Sequence, residues 1–279
     1  MADVVLLEVA DRIATVTLNR PQARNAMSSE LIAALGRLVG EADARGDVDV
    51  LILTGTDPAF CAGLDLKELG HDGGPLKGDA SSNGSPPDGG DDDTGRNGAG
   101  IGPRRFVRGP TLPTAKPVIG AINGAAVTGG LELALNCDFL VASDRARFAD
   151  THSRVGVHPL WGLTVTLPEA VGMRRAREMS ATGNFIDARQ ALEWGLVNHV
   201  VEHHQLLPFA RRLAADISSS DRRAVDAILA TYEDASRVPG ADARDVETRA
   251  AARFQRGGVD PSDIERRRQG ILDRGRSQV

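Results

Sequence analysis

The chain has 279 residues, and its 41% hydrophobic content is ample for a buried core in one large domain or two small ones. Lys and Arg number 33 against 38 Asp and Glu, which gives a formal net charge of -5. This balance excludes a global positive field that would attract nucleic acid or anionic lipid, so we predict neither a nucleic-acid nor a membrane partner. An anionic ligand would have to be held by a local site.

The cysteine content and the first residues bear on where the protein works. Two cysteines, Cys61 and Cys137, are too few for a disulfide framework, and both lie in apolar or small-residue stretches. Residues 1–9 lack the basic start of a secretory signal, and no apolar run approaches the roughly 20 residues that a membrane span needs. We therefore expect an unprocessed cytoplasmic protein.

The chain begins with strand signals. Residues 4–9 and 13–18 are rich in β-branched side chains that partly alternate with polar ones, which predicts a β-hairpin. Ser28 or Ser29 can then cap a helix whose apolar side chains recur at helical spacing. Residues 50–55 form a short apolar run, which indicates a buried strand.

The middle of the chain continues the alternation of strands and helices. Residues 117–122 predict a strand, residues 129–136 a helix and residues 139–142 another strand. This order is typical of an α/β domain with mostly parallel strand pairing. We assign residues 1–201 to this domain as the candidate catalytic core.

Residues 70–102 differ sharply in composition from their surroundings. They are rich in Gly, Asp, Ser, Asn and Pro and have almost no large apolar side chain. Such a segment cannot recover its ordering entropy by burial, so we predict a disordered insertion within the domain. A cover over an active site is the alternative interpretation.

Helical signals dominate beyond about Leu163. The predicted helices cover residues 174–181, 188–194, 206–217, 223–232, 249–254 and 262–272, with one strand at 196–201. We predict that residues 202–279 form a separate C-terminal helical region. Its arginine-rich tail is interpreted as a solvated helix face, with contact to a phosphate group as the alternative.

A glycine-containing turn follows the predicted strand at 117–122 and leads into a helix that opens on Gly129 and Gly130. Free amides at a helix N-terminus favour an anion, and glycine lets the backbone approach it closely. The sequence here lacks the lysine of a phosphate-binding loop and the glycine spacing of a dinucleotide fold. Glu132 lies in the first helical turn, where an acidic residue also complements the helix dipole.

A second small-residue turn at residues 60–67 follows the predicted strand at 50–55 and can also expose backbone amides. Two such turns can converge on one oxygen atom and form an oxyanion hole, which needs donors about 2.7–3.1 Å from the position where charge develops. Taken alone, each segment is more often simply a tight turn.

Together these segments resemble the crotonase superfamily, which contains enoyl-CoA hydratases and isomerases, over roughly residues 18–201. Residues 19–26, Asn-Arg-Pro-Gln-Ala-Arg-Asn-Ala, resemble the segment that lines the coenzyme A site in that family. Residues 60–66 resemble the Phe-x-Ala-Gly-x-Asp-Leu motif, which supplies one oxyanion amide. The resemblance assigns this amide to Leu64.

The second oxyanion motif of the family is also present. Residues 116–124, followed by Gly-Gly-Leu-Glu at 129–132, resemble the segment whose middle glycine supplies the other amide. The resemblance assigns that amide to Gly129. It also implies an α/β fold made of a spiral of ββα units, with a C-terminal helical region that packs between the subunits of a homotrimer or hexamer.

The resemblance implies an enoyl-CoA hydratase, a hydro-lyase that adds water to a 2-enoyl-CoA thioester in fatty-acid and acyl-CoA metabolism. Coenzyme A is then part of the substrate, and no separate cofactor is implied. An enoyl-CoA isomerase that converts 3-enoyl to 2-enoyl thioesters is one alternative. A weakly catalytic acyl-CoA-binding protein is another.

The predicted catalytic pair is Glu132 and His152. Glu132 matches the first of the two glutamates that hold water in the family's hydratases, and His152 stands where the second is expected, in an alignment anchored by Phe148 and Gly156. A histidine can orient water or carry a proton near neutral pH. A structural histidine hydrogen-bonded to Asp150 is the alternative.

Further positions are implied by the resemblance or excluded by their surroundings. The implied substrate-binding residues are Arg24, Ala26, Ala62, Gly63, Asp65, Leu66, Gly130 and Trp161. Core packing is the alternative role of Trp161. His199, His203 and His204 lack a nearby cysteine or carboxylate set, so we predict no metal site. Cys61 has no evident base nearby and is interpreted as a packing residue.

Overall fold

The computed structural model describes residues 3–68 and 114–236, together with residues 238, 242, 245–246, 248–249, 251–252 and 256. The chain divides into two compact units, Met1–Arg222 and Arg223–Val279. The predicted insertion at 70–102 and the predicted helix at 262–272 lie outside the described residues, and the predicted helix at 249–254 is described only in part.

A six-stranded sheet forms the base of the first unit. Its strands are β1 (Val5–Ala10), β2 (Ile13–Leu18), β3 (Val50–Gly55), β5 (Val118–Ile122), β7 (Phe139–Ser143) and β10 (His199–Val201), in the order β1-β2-β3-β5-β7-β10. The β1–β2 pair is antiparallel, and its turn residues Asp11 and Arg12 both have positive φ. The other neighbours pair in parallel, so the predicted α/β fold with mostly parallel pairing is confirmed.

A second sheet of four short strands lies in the same unit. Its strands are β4 (Ala59–Cys61), β6 (Ala125–Val127), β8 (Arg147–Ala149) and β9 (Ile186–Asp187), in the order β4-β6-β8-β9. The first three of these strands each come shortly after a longer strand of the six-stranded sheet. The chain therefore repeats a strand, a short strand and a helix, which is the ββα unit expected from the resemblance.

Eight helices are described in full. They are α1 (Ser29–Ala44), α2 (Gly129–Leu135), α3 (His152–Val155), α4 (Leu163–Val171), α5 (Met173–Thr182), α6 (Ala188–Trp194), α7 (Leu206–Ser218) and α8 (Arg222–Ser236). Ser28 caps α1, because its side-chain oxygen accepts a hydrogen bond of 3.2 Å from the Leu31 N–H. Within the described part of the chain, no helix has both the length and the apolarity to cross a membrane.

Helix α7 packs against the six-stranded sheet. Its Leu206, Ala210 and Ala214 are buried against sheet residues that include Ile52 and Val141. The predicted boundary between the core and the C-terminal region follows residue 201, whereas the first compact unit continues to residue 222. The difference arises because the apolar face of α7 is buried against the core, and a helical pattern alone does not reveal what a helix packs against.

Candidate active site

The turn after β4 places the Leu64 amide beside a segment that precedes α1. Met27 donates its N–H to the Gly63 carbonyl over 2.8 Å, and Asp65 donates its N–H to the Met27 carbonyl over 3.0 Å. These two bonds leave the Leu64 N–H between them, and it donates no hydrogen bond to any described residue. The backbone at Gly63 has φ +93°, a conformation that favours glycine.

The turn before α2 meets the turn after β4. A Cβ added at Gly63 would lie 3.0 Å from the Val127 carbonyl oxygen, which is tighter than an ordinary contact, and 3.6 Å from the Gly129 nitrogen, so the two backbones lie close together. Gly129 is the first residue of α2, where a backbone N–H has no partner within its own helix. The two turns predicted to supply oxyanion amides are therefore in contact.

A cavity of about 90 Å³ opens at these turns. Its walls are formed by Ala62, Leu64, Leu66, Thr128, Gly129, Glu132, Thr151, His152, Val155, Val157, His158, Leu160 and Trp161. The cavity thus brings together both predicted amide positions and both predicted catalytic side chains. Apolar side chains form much of the remaining wall, as expected for a site that holds an acyl chain beside a few polar groups.

Glu132, His152 and Asp150 form a buried row of charged side chains. The Nε2 atom of His152 lies 3.4 Å from Glu132 Oε2, and its Nδ1 atom lies 2.6 Å from Asp150 Oδ1. Glu132 is 2% exposed, His152 6% and Asp150 1%. The His152 ring therefore bridges two carboxylates that are both shielded from water.

This arrangement favours the charged form of His152. Burial by itself would lower the pKa of His152, but the hydrogen bonds to Asp150 and Glu132 and the negative charge of both carboxylates raise it to about 9. Burial would raise the pKa of Asp150, but hydrogen bonds from His152 and Ser180 and the charge of the ring hold it below its usual value. At neutral pH the row consists of an imidazolium ion with a carboxylate on one side and Glu132 on the other.

Trp161 holds Glu132 from the opposite side. Its backbone N–H donates to Glu132 Oε1 over 2.8 Å, which leaves Oε2 facing His152. Trp161 lines the cavity. Its ring also packs on Gly129, where an added Cβ would lie 2.8 Å from ring atom Cζ3. Trp161 therefore both packs against its neighbours and lines the cavity.

The chain matches the sequence model of the enoyl-CoA hydratase/isomerase family over residues 8–85 and 111–258. It belongs to this family. The resemblance to the crotonase superfamily predicted from the motifs is thereby confirmed.

Curated members of the family include several hydratases. The probable peroxisomal enoyl-CoA hydratase 1 of Arabidopsis thaliana is 35% identical over 245 residues, which cover 88% of this chain and 84% of the relative. The mevalonyl-coenzyme A hydratase of Aspergillus fumigatus is 38% identical over 221 residues, which cover 79% of this chain and 73% of the relative.

Solved structures of family members share the fold. The enoyl-CoA hydratase of Mycobacterium tuberculosis H37Rv is 45% identical with a TM-score of 0.70, and the match covers 91% of this chain and 99% of that one. The enoyl-CoA hydratase of Bacillus anthracis is 26% identical with a TM-score of 0.76, and covers 96% of each chain. The predicted crotonase-like fold is confirmed by these matches.

Five residues predicted to bind substrate do not line the cavity of this family member. They are Arg24, Ala26, Gly63, Asp65 and Gly130. Asp65 accepts hydrogen bonds of 3.0 and 3.1 Å from the Arg20 guanidinium, which also donates to the Ala26 carbonyl. Gly130 faces β4, because a Cβ there would lie 2.2 Å from the Cys61 carbonyl oxygen. Arg24 is exposed.

Two threonines that line the cavity, Thr128 and Thr151, have no signature in the sequence. Thr128, the residue before Gly129, has φ 55° and ψ -115°, which is unusual for a β-branched residue. Its hydroxyl is hydrogen-bonded to the hydroxyl of Thr151, the residue before His152. The pair ties the two polar sides of the cavity together. No spacing rule predicts such a contact, because the two residues come from separate turns.

His158, His203 and Cys61 are not part of the row formed by Glu132, His152 and Asp150. His158 lines the cavity and donates from Nδ1 to the Pro159 carbonyl over 2.7 Å. His203 lies away from the cavity, with Nε2 2.9 Å from Asp57 Oδ2. Burial raises the pKa of the Cys61 thiol to about 12, which suits the packing role predicted for it and not a thiolate nucleophile.

Proposed function

We propose that this protein is an enoyl-CoA hydratase that adds water across the double bond of a 2-enoyl-CoA thioester. The observation that carries the proposal is the buried Glu132 carboxylate, which shares one cavity with the Leu64 and Gly129 backbones. The names of the curated relatives support the same reaction class.

The thioester carbonyl oxygen accepts hydrogen bonds from the Leu64 and Gly129 amides. As water adds to the β-carbon, negative charge moves onto this oxygen and the substrate becomes an enolate. Fixed amide donors stabilise that charge without reorganising, and removing one such donor typically costs about 10²–10³ in turnover. The apolar cavity wall strengthens the effect because it excludes water.

Glu132 is the general base in this proposal. Because Oε1 is occupied by the Trp161 N–H, Oε2 is the atom available to a water molecule in the cavity. It accepts one proton from that water while the oxygen bonds to the β-carbon. His152 lies 3.4 Å from the same oxygen and is placed to orient the water or to carry a proton.

Turnover of a trans-2-enoyl-CoA, followed by the loss of the conjugated thioester absorbance, tests the proposal. We expect Glu132→Gln to lower kcat by about 10²–10⁴, because it removes the base but keeps the hydrogen bond from Trp161. Binding of a saturated acyl-CoA should be retained. The matched control is Glu169→Gln on the exposed face of α4, with activity unchanged. Full activity in Glu132→Gln would contradict the assignment.

One observation favours an isomerase as the second candidate. Among the described residues, Glu132 is the only carboxylate that lines the cavity. A single carboxylate can move a proton from the α-carbon of a 3-enoyl thioester to its γ-carbon. Conversion of a 3-enoyl-CoA to the conjugated product, with no hydration of a 2-enoyl-CoA, would replace the first proposal with this one. Tight acyl-CoA binding without either reaction would indicate a binding protein.

We further propose that the protein assembles as a homotrimer or a pair of trimers. In support, Ile228 and Tyr232 of α8 are 54% and 71% exposed, which suits an apolar contact with another copy. Light scattering that gives the mass of one chain would contradict this.

A cytoplasmic location also stays a proposal, supported by the two free cysteines.

A further inference from the structure

Asp150 stands behind His152 and outside the cavity. It is 1% exposed and does not line the cavity, so it cannot touch a substrate bound there. Its Oδ1 accepts two hydrogen bonds from one residue, from His152 Nδ1 at 2.6 Å and from the His152 backbone N–H at 3.1 Å. His152 lines the cavity and is hydrogen-bonded to Asp150, so Asp150 can act on a reaction through His152.

These contacts fix which nitrogen of His152 serves the cavity. With Nδ1–H donated to Asp150, the imidazole presents Nε2 towards Glu132, 3.4 Å away. A carboxylate at Nδ1 stabilises the ring in its doubly protonated form, as in other sites where an acid orients a histidine. In that form Nε2 carries a proton and is an acid, whereas Glu132 is a base.

We propose that Asp150 is a positioning residue that holds His152 as an imidazolium ion with its Nε2–H aimed into the cavity, where His152 protonates the α-carbon of the enolate. This inference rests on the proposed hydratase function. It assigns to a histidine and a buried aspartate the proton delivery that a second glutamate at position 152 would have supplied.

The proposed proton transfers balance. Water loses one proton to Glu132 while its oxygen forms a bond to the β-carbon, and the π electrons of the double bond move into the enolate. The enolate then forms a C–H bond at the α-carbon with the Nε2 proton of His152. Glu132 finally passes the proton taken from water to Nε2 of His152. Both side chains return to their starting forms, and the product has gained one water molecule.

The charges around His152 support an acid at this position. The pKa of about 9 keeps the ring protonated at neutral pH. The titratable groups at the ring are Glu132 on α2 and Asp150, while His158 lines the same cavity. The charged residues of the neighbouring α5 are exposed and do not line the cavity; these are Arg174, Arg175, Arg177 and Glu178.

The test compares the pH dependence of kcat/KM for a 2-enoyl-CoA in Asp150→Asn, Asp150→Glu and His152→Gln. In the wild type, activity should fall as pH rises through about 9, when His152 loses its proton. We call this fall in activity at high pH the basic limb of the profile. Asp150→Asn should move the basic limb to a pH lower by at least about one unit, because an adjacent opposite charge typically shifts a pKa by about 1–3 units. Asp150→Glu should restore the limb, and His152→Gln should abolish it.

A matched control and a second readout separate positioning from simple stability. Asp11→Asn, on the exposed hairpin turn where φ is 51°, should leave the limb unchanged. NMR titration of labelled His152 in the unliganded protein reports its protonation without any turnover. A merely structural Asp150 would change melting temperature but not the position of the limb.

The outcomes are distinct. A basic limb and a His152 titration that both move down in Asp150→Asn would support the inference. A limb that stays in place, or a wild-type His152 that titrates near 6.5, would overturn it. A wild type that hydrates no 2-enoyl-CoA while His152 still titrates near 9 would instead overturn the hydratase function, and proton delivery to the α-carbon would fall with it.

Discussion

Asn25 is a buried residue whose side chain forms three hydrogen bonds to backbone groups of two neighbouring segments. Its Oδ1 accepts a hydrogen bond of 2.8 Å from the Arg20 N–H, and its Nδ2 donates to the carbonyls of Thr56 and Ala59 at 2.8 and 2.7 Å. Its φ of 55° is one that asparagine tolerates better than most residues. Asn25 therefore fixes the segment proposed to bind coenzyme A against the start of β4.

We predict that Asn25→Ala lowers the free energy of unfolding by about 3 kcal/mol. The change removes three hydrogen bonds. The part-buried Arg20 N–H and Thr56 carbonyl lose this partner, at a cost of about 1–3 kcal/mol each where water cannot replace it, whereas the Ala59 carbonyl keeps a hydrogen bond of 3.3 Å from Asn123. The KM for enoyl-CoA should rise as well, because the segment loses its anchor. Urea unfolding and steady-state kinetics measure the two effects.

The matched control is Asn184→Ala. Asn184 is exposed, and its Oδ1 accepts a single hydrogen bond of 2.9 Å from Arg154. Substitutions at such surface positions usually change stability by no more than about 0.5 kcal/mol. An Asn25→Ala variant as stable as this control would show that water replaces the lost bonds.

At the residue scale, sequence motifs predicted several residues that line the cavity, but not the residues that hold its backbone segments in place. Leu64, Gly129, Glu132 and His152 stand in recognisable local sequences, and the structure brings them to one cavity. Asn25 could not be assigned a role in the same way. Its partners lie more than thirty positions away at Thr56 and Ala59, and backbone carbonyls leave no signature in a sequence.

At the element scale, the sequence predicted long strands better than short ones. The six-residue strand β3 was predicted over its full range, because a continuous apolar run between turn signals is a strong pattern. The strands of the second sheet have two or three residues, too few for any periodicity. They are defined by pairing with one another, which depends on the tertiary fold.

The packing of α2 on β4 yields a prediction for Gly130. A Cβ at this position would lie 2.2 Å from the Cys61 carbonyl oxygen, and backbone atoms on both sides would have to move. We expect Gly130→Ala to lower the free energy of unfolding by about 1–3 kcal/mol, as overpacking does, and to reduce turnover because Gly129 and Glu132 shift with α2. Thermal unfolding and kcat are the measurements.

Gly46→Ala is the control for this substitution. Nothing lies within 4 Å of a Cβ at Gly46, and this residue is exposed. The change should be neutral or stabilising by up to about 1 kcal/mol, because alanine restricts the unfolded chain. Equal effects of the two substitutions would contradict the close contact between α2 and β4.

At the scale of the whole molecule, composition limited the possible partners but did not locate the unit boundary. The helical pattern of α7 resembles that of the helices after it, and its two fully buried residues are alanines, Ala210 and Ala214. Small side chains bring a helix close to a sheet but give a weak apolar signal in sequence. The boundary therefore depends on a contact that the sequence pattern does not reveal.

Three buried groups with displaced pKa values, Lys116, Cys61 and His152, shape the stability of the molecule at neutral and alkaline pH. Burial lowers the pKa of Lys116 to about 8 and raises that of Cys61 to about 12, whereas the carboxylates beside His152 raise its pKa to about 9. Above pH 8 the deprotonation of Lys116 in the folded state adds stability with rising pH. Above pH 9 the ionisation of Cys61 in the unfolded state lowers the stability of the folded protein as pH rises.

The window between about pH 6.5 and 8 isolates His152. A histidine whose folded pKa lies above its unfolded value of 6.5 contributes its full stability below pH 6.5, and this contribution is lost as pH rises through 9. The melting temperature should therefore fall across this window, with a free-energy slope of at most about 1.4 kcal/mol per pH unit for one proton. Calorimetry of the wild type and His152→Gln at one protein concentration measures it. The variant should show a flatter profile, and an identical slope in both proteins would exclude His152 as its source.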